Sequence, residues 1–503
     1  MEQPYVLGID QGSSGSRAVV LDVAGRVMGY GYEAVARSYP QPGWVEQNPH
    51  DIAASVATAM RTALARSGVP ADAIAAIGVT SQRDTVFAWD AKTGAPIGNA
   101  ITWQDLRTAP LVEELNAWPL AAERRTRLGQ FPGSYSSAMH MAWRMRHDQA
   151  FRAAADAGRL RVSLAAGWIV RALGVNYEHA LDYSLMQAMT VYDFRRRELW
   201  APWVEYLNIP IAALPQAEPT NYHFGDIDLV DAHGGQARVP VLAMITDQQA
   251  ALFGYDCRKP GEAACTHGTA SFVNVVAGPV APPQSTPKVY LGWELGGTPT
   301  YCLEADTAVT GAVIRWMQEQ MGWIARPSEL GPLAASVPDA AGVVFTPTFT
   351  GFGVPSEDRT ARGAIFGMTL DTTPAHIARA FLESLGYQLH DILDCIQREA
   401  GLTIGELRVG GGVSASDLAC QIQADVLGIP ICRASDAETS VRAAALLAGI
   451  GAGVWANIGA LPPLGGEETL FAPRWGAGER SAGIERWQRA VERAQGWLAS
   501  SRV

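Results

Sequence analysis

The stretch Gly8-Ile9-Asp10-Gln11-Gly12-Ser13-Ser14-Gly15-Ser16-Arg17 is the part of the chain from which the fold can be argued first. An apolar run at 5–9 predicts a strand that leads into it, and residues 17–22 and 27–36 predict two further strands. The quoted stretch is therefore a tight turn within a three-stranded meander at the start of the chain.

The residue types at this turn are suited to binding phosphate. Small residues allow backbone N–H groups to point towards an anion. The side chains of Ser13, Ser14 and Arg17 can bind phosphate oxygens. Asp10 can hold a magnesium ion through water. An ordinary hairpin with polar turn residues explains the same stretch, so both interpretations stay open at this point.

Two further turns of small residues lie in the second half of the chain. His267-Gly268-Thr269-Ala270 separates two apolar strands, and Gly410-Gly411-Gly412 lies where a strand is followed by a helix. Such glycines permit close approach of a phosphate or a flat ring to the backbone. Each turn alone is weak evidence, but three of them spread over both halves favour a nucleotide site.

The order of predicted elements indicates an α/β architecture. After the meander, Asn48 and Pro49 predict the start of a helix that ends near Gly68. Similar strand and helix patterns recur in the second half, which suggests a duplicated domain with a cleft between the copies. We place the boundary in the polar segment at 250–260, which predicts domains at 1–254 and 255–503.

Composition excludes several classes of protein. The chain has 503 residues, of which 48% are apolar and 18% charged, and this balance is typical of a globular protein. A net charge of −11 argues against nucleic acid as the main partner. The longest uncharged apolar run is far shorter than the roughly 20 residues of a membrane span, so we expect no membrane partner.

Lysine and cysteine usage narrow the choice further. None of the three lysines, Lys92, Lys259 and Lys288, lies in the Gly-Lys-Ser/Thr context of a P-loop, so ATP would need another phosphate cradle. The six cysteines have irregular spacing without a Cys-x-x-Cys pair, which predicts buried thiols rather than a zinc site. With no signal peptide visible, we expect a reducing, cytoplasmic location.

At this point the chain resembles a known family, the FGGY carbohydrate kinases of the actin-like, hexokinase-like ATPase group, and within it the glycerol kinase branch. The resemblance covers residues 5 to about 455 and rests on Gly8-Ile9-Asp10-Gln11-Gly12, Pro42-Gly43-Trp44-Val45-Glu46, Ala76-Ile77-Gly78-Val79-Thr80-Ser81-Gln82-Arg83-Asp84-Thr85, Asn99-Ala100-Ile101-Thr102-Trp103-Gln104, Asp247-Gln248-Gln249-Ala250-Ala251-Leu252-Phe253-Gly254 and Ala361-Arg362-Gly363-Ala364-Ile365-Phe366-Gly367. It implies two actin-like (ribonuclease H-like) ATPase domains with a cleft between them.

The resemblance also implies roles for individual residues. It makes Asp247 the catalytic base and makes Asp10 and Asp247 the magnesium ligands. The residues implied for substrate binding are Arg83, Asp84, Trp103, Tyr135, Asp247, Gln248 and Phe272. The residues implied for nucleotide binding are Gly12, Ser13, Ser14, Arg17, Gly268, Thr269, Gly311, Gly411, Gly412 and Ser416.

The implied activity is ATP- and Mg²⁺-dependent phosphorylation of a terminal hydroxyl of a small polyol or sugar, with glycerol as the first candidate. A tetritol, ketotriose or pentulose remains as an alternative substrate, and a non-catalytic actin-like nucleotide-binding protein as an alternative class. Asp84 replaces the glutamate typical of glycerol kinases, which puts the substrate rather than the reaction in question. A homodimer or homotetramer is expected.

Overall fold

The computed structural model describes residues 4–283, 286–307, 309–434, 438–463 and 467–498. Within these residues the α-helices, in chain order, are α1 (Pro49–Ser67), α2 (Ala109–Asn116), α3 (Arg124–Leu128), α4 (Ser137–His147), α5 (Gln149–Asp156), α6 (Ala165–Leu173), α7 (Tyr183–Ala188), α8 (Ala201–Tyr206), α9 (Asp247–Gly254), α10 (Gly311–Glu319), α11 (Leu330–Ala335), α12 (Pro374–Ala400), α13 (Asp417–Leu427), α14 (Thr439–Gly451) and α15 (Ala477–Ala494).

The β-strands of the same residues, in chain order, are β1 (Tyr5–Gln11), β2 (Gly15–Leu21), β3 (Val27–Ala34), β4 (Glu46–Gln47), β5 (Ile74–Ser81), β6 (Phe87–Asp90), β7 (Ala100–Ile101), β8 (Leu160–Ser163), β9 (Gly174–Val175), β10 (Ala180–Asp182), β11 (Tyr192–Asp193), β12 (Glu198–Leu199), β13 (Gln216–Glu218), β14 (Asp226–Val230), β15 (Gln236–Thr246), β16 (Ala263–His267), β17 (Ser271–Gly278), β18 (Lys288–Leu295), β19 (Thr298–Asp306), β20 (Val344–Thr346), β21 (Ala364–Phe366), β22 (Leu407–Gly411), β23 (Ile431–Arg433) and β24 (Thr469–Phe471).

Two seven-stranded sheets organise the chain, and both contain the same five-stranded unit. The first sheet has the order β3-β2-β1-β5-β15-β14-β9, and the second has the order β18-β19-β17-β16-β22-β23-β24. In the first sheet β1, β5 and β15 are parallel, whereas β1–β2 and β2–β3 are antiparallel. The second sheet repeats this with β16, β22 and β23 parallel and with β17 and β19 antiparallel on the other side. The repeat confirms the expected α/β architecture with a duplicated unit.

The local expectations for the first 68 residues are confirmed. The meander forms as β1, β2 and β3. The apolar residues of β1 and β2 pack into the core, whereas β3 is an edge strand in which only Gly29 and Gly31 are buried. Helix α1 begins after Asn48, whose side chain accepts the N–H of His50, and it ends at Gly68 in the left-handed conformation. Further along, β6 pairs with β8 rather than with its sequence neighbour β7.

Helix α14 belongs to the second half in sequence but packs on the first sheet. It contacts β1, β5 and β15, and it also contacts α9. The backbone of α14 comes close to the sheet because glycines of the strands face the helix. A Cβ at Gly8 would overlap the carbonyl oxygen of Val441, and a Cβ at Gly78 would overlap that of Ala444. Residues of both halves therefore share one apolar cluster around this helix.

Two further sequence-based expectations concern the membrane and the thiols. No helix in the described ranges is both long enough and apolar enough to pass through a bilayer. All six cysteines are buried and free. Burial raises the pKa of their thiols, for example that of Cys420 to about 11.

The contact of Gly78 with α14 predicts how a substitution at this position changes the thermal stability of the protein. Replacing Gly78 with alanine places a methyl group against a backbone oxygen that cannot swing away, and overpacking of this kind typically costs ~1–3 kcal/mol. We expect Gly78→Ala to lower the midpoint of thermal unfolding. The control is Gly405→Ala, where a Cβ meets nothing within 4 Å. Equal melting of the two variants would contradict the proposed packing.

Candidate functional site

The carboxyl ends of three parallel strands bring the central polar residues together. In the sheet register Asp10 of β1 lies opposite Thr80 of β5, and Thr246 of β15 lies opposite Ser81. Arg83 follows the end of β5 by two residues, and Asp247 directly follows β15. Ligands of open α/β sheets bind at this edge. The sheet thus gathers Asp10, Arg83 and Asp247, although they are far apart in sequence.

Asp247 combines a helix N-terminus with a cationic neighbour. It is the first residue of α9, and its Oδ1 accepts the N–H of Gln248 at 2.8 Å. The same oxygen lies 3.7 Å from Nε of Arg83. Burial raises the pKa of Asp247 to about 6, against the opposing effect of Arg83. This carboxylate is ionised at neutral pH and close to the range of an effective general base.

Arg83 connects the two halves of the chain. Its guanidinium donates from Nη2 to Oε1 of Glu304 at 3.1 Å, and Nη1 lies 2.9 Å from Oε2. It also lies over the ring of Tyr290, with 5.0 Å from Cζ to the ring centroid. Burial acts against the charge, but Glu304 holds the pKa of Arg83 well above its usual range. Arg83 is therefore a fixed cation beside the carboxylate of Asp247.

The first predicted phosphate turn is the β1–β2 hairpin, and it contacts Trp103. The indole Nε1 donates to Oγ of Ser13 at 2.7 Å, and this hydroxyl lies 3.2 Å from Oε1 of Gln82. The N–H of Gly12 donates to the carbonyl of Gly15, which closes the turn. Ser14 is exposed at its tip. Trp103, which the resemblance implies for substrate binding, thus also contacts the turn through the polar edge of its indole ring.

Arg17 ties this hairpin to the other half of the chain. Its Nε lies 3.2 Å from a carboxylate oxygen of Glu438, and its Nη1 lies 3.9 Å from Asp10. Burial and the nearby Asp247 raise the pKa of Asp10 to about 7, although Arg17 acts in the opposite direction. A divalent cation would stabilise the ionised form of this carboxylate. The carboxylates of Asp10 and Asp247 both lie at this edge of the sheet, and their binding of Mg²⁺ stays a prediction.

The second phosphate turn is the β16–β17 hairpin, and α10 begins directly on it. The N–H of Gly311 donates to the carbonyl of Gly268 at 3.1 Å, and the N–H of Thr310 donates to that of Thr269 at 2.8 Å. A Cβ at Gly311 would lie 2.7 Å from the oxygen of Gly268. Glycine at 311 is thus required for this close approach, and the structure brings three predicted nucleotide residues together.

The third turn lies beside the second because β22 pairs with β16. Gly411 is opposite His267 and has φ +87°, where a Cβ would overlap the His267 carbonyl. A Cβ at Gly412 would meet nothing within 4 Å, so this backbone borders open space. Ser416 caps α13, since its Oγ accepts the N–H of Ala419 at 3.3 Å. Its nucleotide contact stays a prediction.

The remaining predicted substrate residues are Asp84, Tyr135, Gln248 and Phe272. Oδ1 of Asp84 accepts the N–H of Ser137 at 3.1 Å, at the start of α4. Burial, partly offset by Arg83, raises the pKa of Asp84 to about 7. Tyr135 and Phe272 are half-buried. Within the described residues, Oε1 of Gln248 is buried without a hydrogen-bond partner, as expected of an atom that awaits a ligand.

Four site residues have no counterpart among the sequence-based candidates. Two antiparallel strands, β18 and β19, supply them: Lys288, Tyr290, Glu304 and Asp306. Lys288 and Glu304 are direct partners in the strand register. These residues belong to no sequence motif, because their positions in the site result from the pairing of strands that are separate in sequence. A signal was nonetheless present, since charged residues in otherwise apolar strands are unusual unless they serve a site.

Comparison with known proteins gives a consistent picture. Residues 5–254 match the N-terminal domain of the FGGY family of carbohydrate kinases, and residues 263–452 match the C-terminal domain. The chain is 40% identical to the glycerol kinase of Aromatoleum aromaticum, over 99% of this chain and 100% of that one. It is 37% identical to the glycerol kinase of Symbiobacterium thermophilum, with coverage of 99% and 100%. The crystal structure of Plasmodium falciparum glycerol kinase with ADP superimposes with a TM-score of 0.91 at 25% identity, covering 98% of each chain.

The geometry around Asp247 predicts its effect on catalysis. Asp247→Asn keeps the shape of the side chain but removes the proton acceptor, and loss of a general base typically costs roughly 10²–10⁴ in rate. Because the pKa of Asp247 is raised to about 6, we expect wild-type kcat/KM to fall as the pH decreases through that value. Steady-state kinetics from pH 5 to 8 test both points.

The matched control for this substitution is Asp228→Asn. Asp228 is exposed and forms a surface pair with Arg238, so its loss should leave kcat unchanged. If kcat of Asp247→Asn stays within threefold of wild type, the base is another residue.

Proposed function

Because the chain belongs to the FGGY family of carbohydrate kinases, we propose that it transfers the terminal phosphoryl group of ATP to a primary hydroxyl of a small polyol, with glycerol as the first candidate. It is a phosphotransferase with an alcohol group as acceptor. The observation that carries the proposal is the placement of Asp10, Arg83 and Asp247 at one edge of the first sheet.

In the proposed reaction Asp247 accepts the proton of the attacking hydroxyl. Arg83 stabilises the ionised form of this base from 3.7 Å and can also donate to an acceptor hydroxyl. Phosphoryl transfer depends mainly on positioning and charge neutralisation. Arg17 and the Ser13 hydroxyl on one side, and the backbone of the Gly268 turn on the other, supply donors for phosphate oxygens.

We further propose that Asp10 and Asp247 hold Mg²⁺. Two carboxylates fit this ion, because Mg²⁺ retains waters and binds substrate phosphates rather than filling a site made of protein alone. When bound, the ion neutralises charge on the phosphate oxygens. The glycines of the third turn, Gly411 and Gly412, are the proposed neighbours of the adenosine.

We also propose a reducing, cytoplasmic compartment for this protein. The six buried, free thiols, all between residues 257 and 432, agree with this proposal. We propose a homodimer or homotetramer on the resemblance alone. The division into domains at 254 also stays a proposal. Helix α14 follows this boundary in sequence but contacts β1, β5 and β15, which precede it.

The proposed function predicts ATP consumption that depends on an added polyol. We expect stoichiometric ADP formation with at least one of glycerol, erythritol, threitol, dihydroxyacetone and xylulose, and none with Asp247→Asn on the same timescale. ADP release in a coupled assay, with the phosphorylated product identified by mass spectrometry, measures this. ATP binding without any polyol-dependent turnover would instead indicate a non-catalytic nucleotide-binding protein.

Asp84 generates a separate prediction about the acceptor. Its carboxylate is held at the start of α4 by Ser137 and is one methylene shorter than glutamate, so a glycerol hydroxyl would meet a gap or a water there. We expect that wild type shows no clear preference for glycerol and that Asp84→Glu raises the kcat/KM ratio of glycerol to erythritol. Asp51→Glu, in the exposed first turn of α1, is the control. A tenfold preference of wild type for glycerol over every other acceptor would refute the gap.

A further inference from the structure

Lys288 lies in the same site as Arg83 but has no role in the proposed reaction. It is one of three lysines in the chain, and its side chain is 26% exposed. Its Nζ lies 3.8 Å from Oε1 of Glu304 and 3.6 Å from Oδ1 of Asp306. Both distances exceed ordinary hydrogen-bond length. In the described part of the chain its three N–H donors thus have ion-pair neighbours but no protein acceptor in direct contact.

The strand register explains why this ammonium faces the acceptor site. Lys288 on β18 is paired with Glu304 on β19, which is paired with Asn274 on β17. Directly opposed residues of neighbouring strands point to the same face of a sheet. Glu304 on that face contacts Arg83, so the face looks towards the first half of the chain.

Asp306 and Phe272 form the next row of this face, since they are also paired in the register. On the opposite side of Lys288, the ring of Tyr135 lies 5.8 Å from Nζ to the ring centroid. Lys288 thus has the predicted substrate residue Tyr135 and the carboxylates of Glu304 and Asp306 as neighbours. Burial acts against its charge, but Tyr135 and Asp306 raise the pKa of Lys288 above its usual range, so it remains a cation.

In the proposed binding mode, the hydroxyls of a three-carbon acceptor use groups other than Lys288. Each hydroxyl carries one donor and two acceptor positions. Asp247 takes the proton of the reacting hydroxyl, and Arg83, Asp84 and the buried, unpartnered oxygen of Gln248 can serve the other two. The row of charges nevertheless continues from Arg83 through Glu304 to Lys288, away from Asp247.

The balance of charges selects against an anionic acceptor. The carboxylates of Asp84, Asp247, Glu304 and Asp306 outnumber the cations of Arg83 and Lys288 by two when all are ionised. A sugar acid would add a further negative charge to this site, and like charges in a partly desolvated site repel strongly. A hydroxyl beside Lys288 and Asp306 suits this pair, because it can accept from the ammonium and donate to a carboxylate.

We propose that Lys288 is a specificity-determining residue that donates a hydrogen bond to a hydroxyl beyond the third carbon of the acceptor, so that the preferred substrate is a neutral linear polyol or ketose of four or five carbons. The proposal rests on the proposed kinase function and defines its substrate class. Lys288 acts in binding, and it takes no part in the transfer of the phosphoryl group or proton.

The test compares Lys288→Met, which keeps the length of the side chain but removes the donors, with wild type. Substrates are glycerol, erythritol, threitol, xylulose and the four-carbon acid erythronate. We expect the kcat/KM ratio of the best four- or five-carbon acceptor to glycerol to fall at least tenfold, mainly through a higher KM. Lys288→Arg should recover part of this ratio. The exposed Lys259→Met should leave it at the wild-type value.

The possible results distinguish a failure of the role assigned to Lys288 from a failure of the proposed kinase function. If wild type phosphorylates polyols but Lys288→Met lowers kcat/KM equally for glycerol and for longer acceptors, Lys288 is structural and the inference is wrong. A wild-type preference for erythronate would also overturn it, because Lys288 would then bind a carboxylate rather than a hydroxyl. If wild type turns over no acceptor at all, the proposed function itself fails. Should Lys288→Met melt at a markedly lower temperature than wild type, Asp306→Asn is measured in its place, with the same ratio expected to fall.

Discussion

The site depends on one buried ion pair between the halves of the chain, that of Arg83 with Glu304. Glu304 is fully buried, and Arg83 is nearly so. Taking two such charges out of water is costly, and removing one partner of a buried pair typically costs about 3–5 kcal/mol because the other charge remains uncompensated. The pair therefore holds the end of β5 against β19. Asp247 lies beside Arg83 and Lys288 lies beside Glu304, so the pair stands between these two residues.

Close packing of a helix backbone on the first sheet supports the strand that leads to Arg83. Helix α14 lies against β1, β5 and β15, at the strands whose ends carry the polar site residues. The absence of side chains at Gly8 and Gly78 allows the helix backbone to come within contact of the sheet. Because close-packed interiors transmit small displacements, the distance between the strand ends and the second half depends on these glycines. A structural requirement far from the substrate thus acts on the geometry of the site.

The carboxylates of the site share an unusual electrostatic state. Burial raises the pKa of Asp10 and Asp84 to about 7 and that of Asp247 to about 6. Perturbed values of this kind cluster at functional sites. Before ligands bind, the site carries more carboxylates than nearby cations. Bound magnesium and the hydroxyls of an acceptor would stabilise their ionised forms, which links binding of the ligands to the charge of the base.

The sequence by itself determined the local structure of the three turns of small residues and of the first helix with its caps, and its resemblance to a known family implied the reaction class. Local structure of this kind depends on a few neighbouring residues, such as the turn glycines, the cap residue Asn48 and a carboxylate at the end of a strand. Rules that relate neighbouring residues are therefore enough to predict it. The tertiary structure alone decided which of these residues meet. It placed Lys288, Tyr290, Glu304 and Asp306 beside Arg83 because cross-strand pairing in β18 and β19 and the docking of two sheets set their positions. Such contacts join residues more than 200 positions apart, and their energy depends on burial and distance, which no local pattern in the chain encodes.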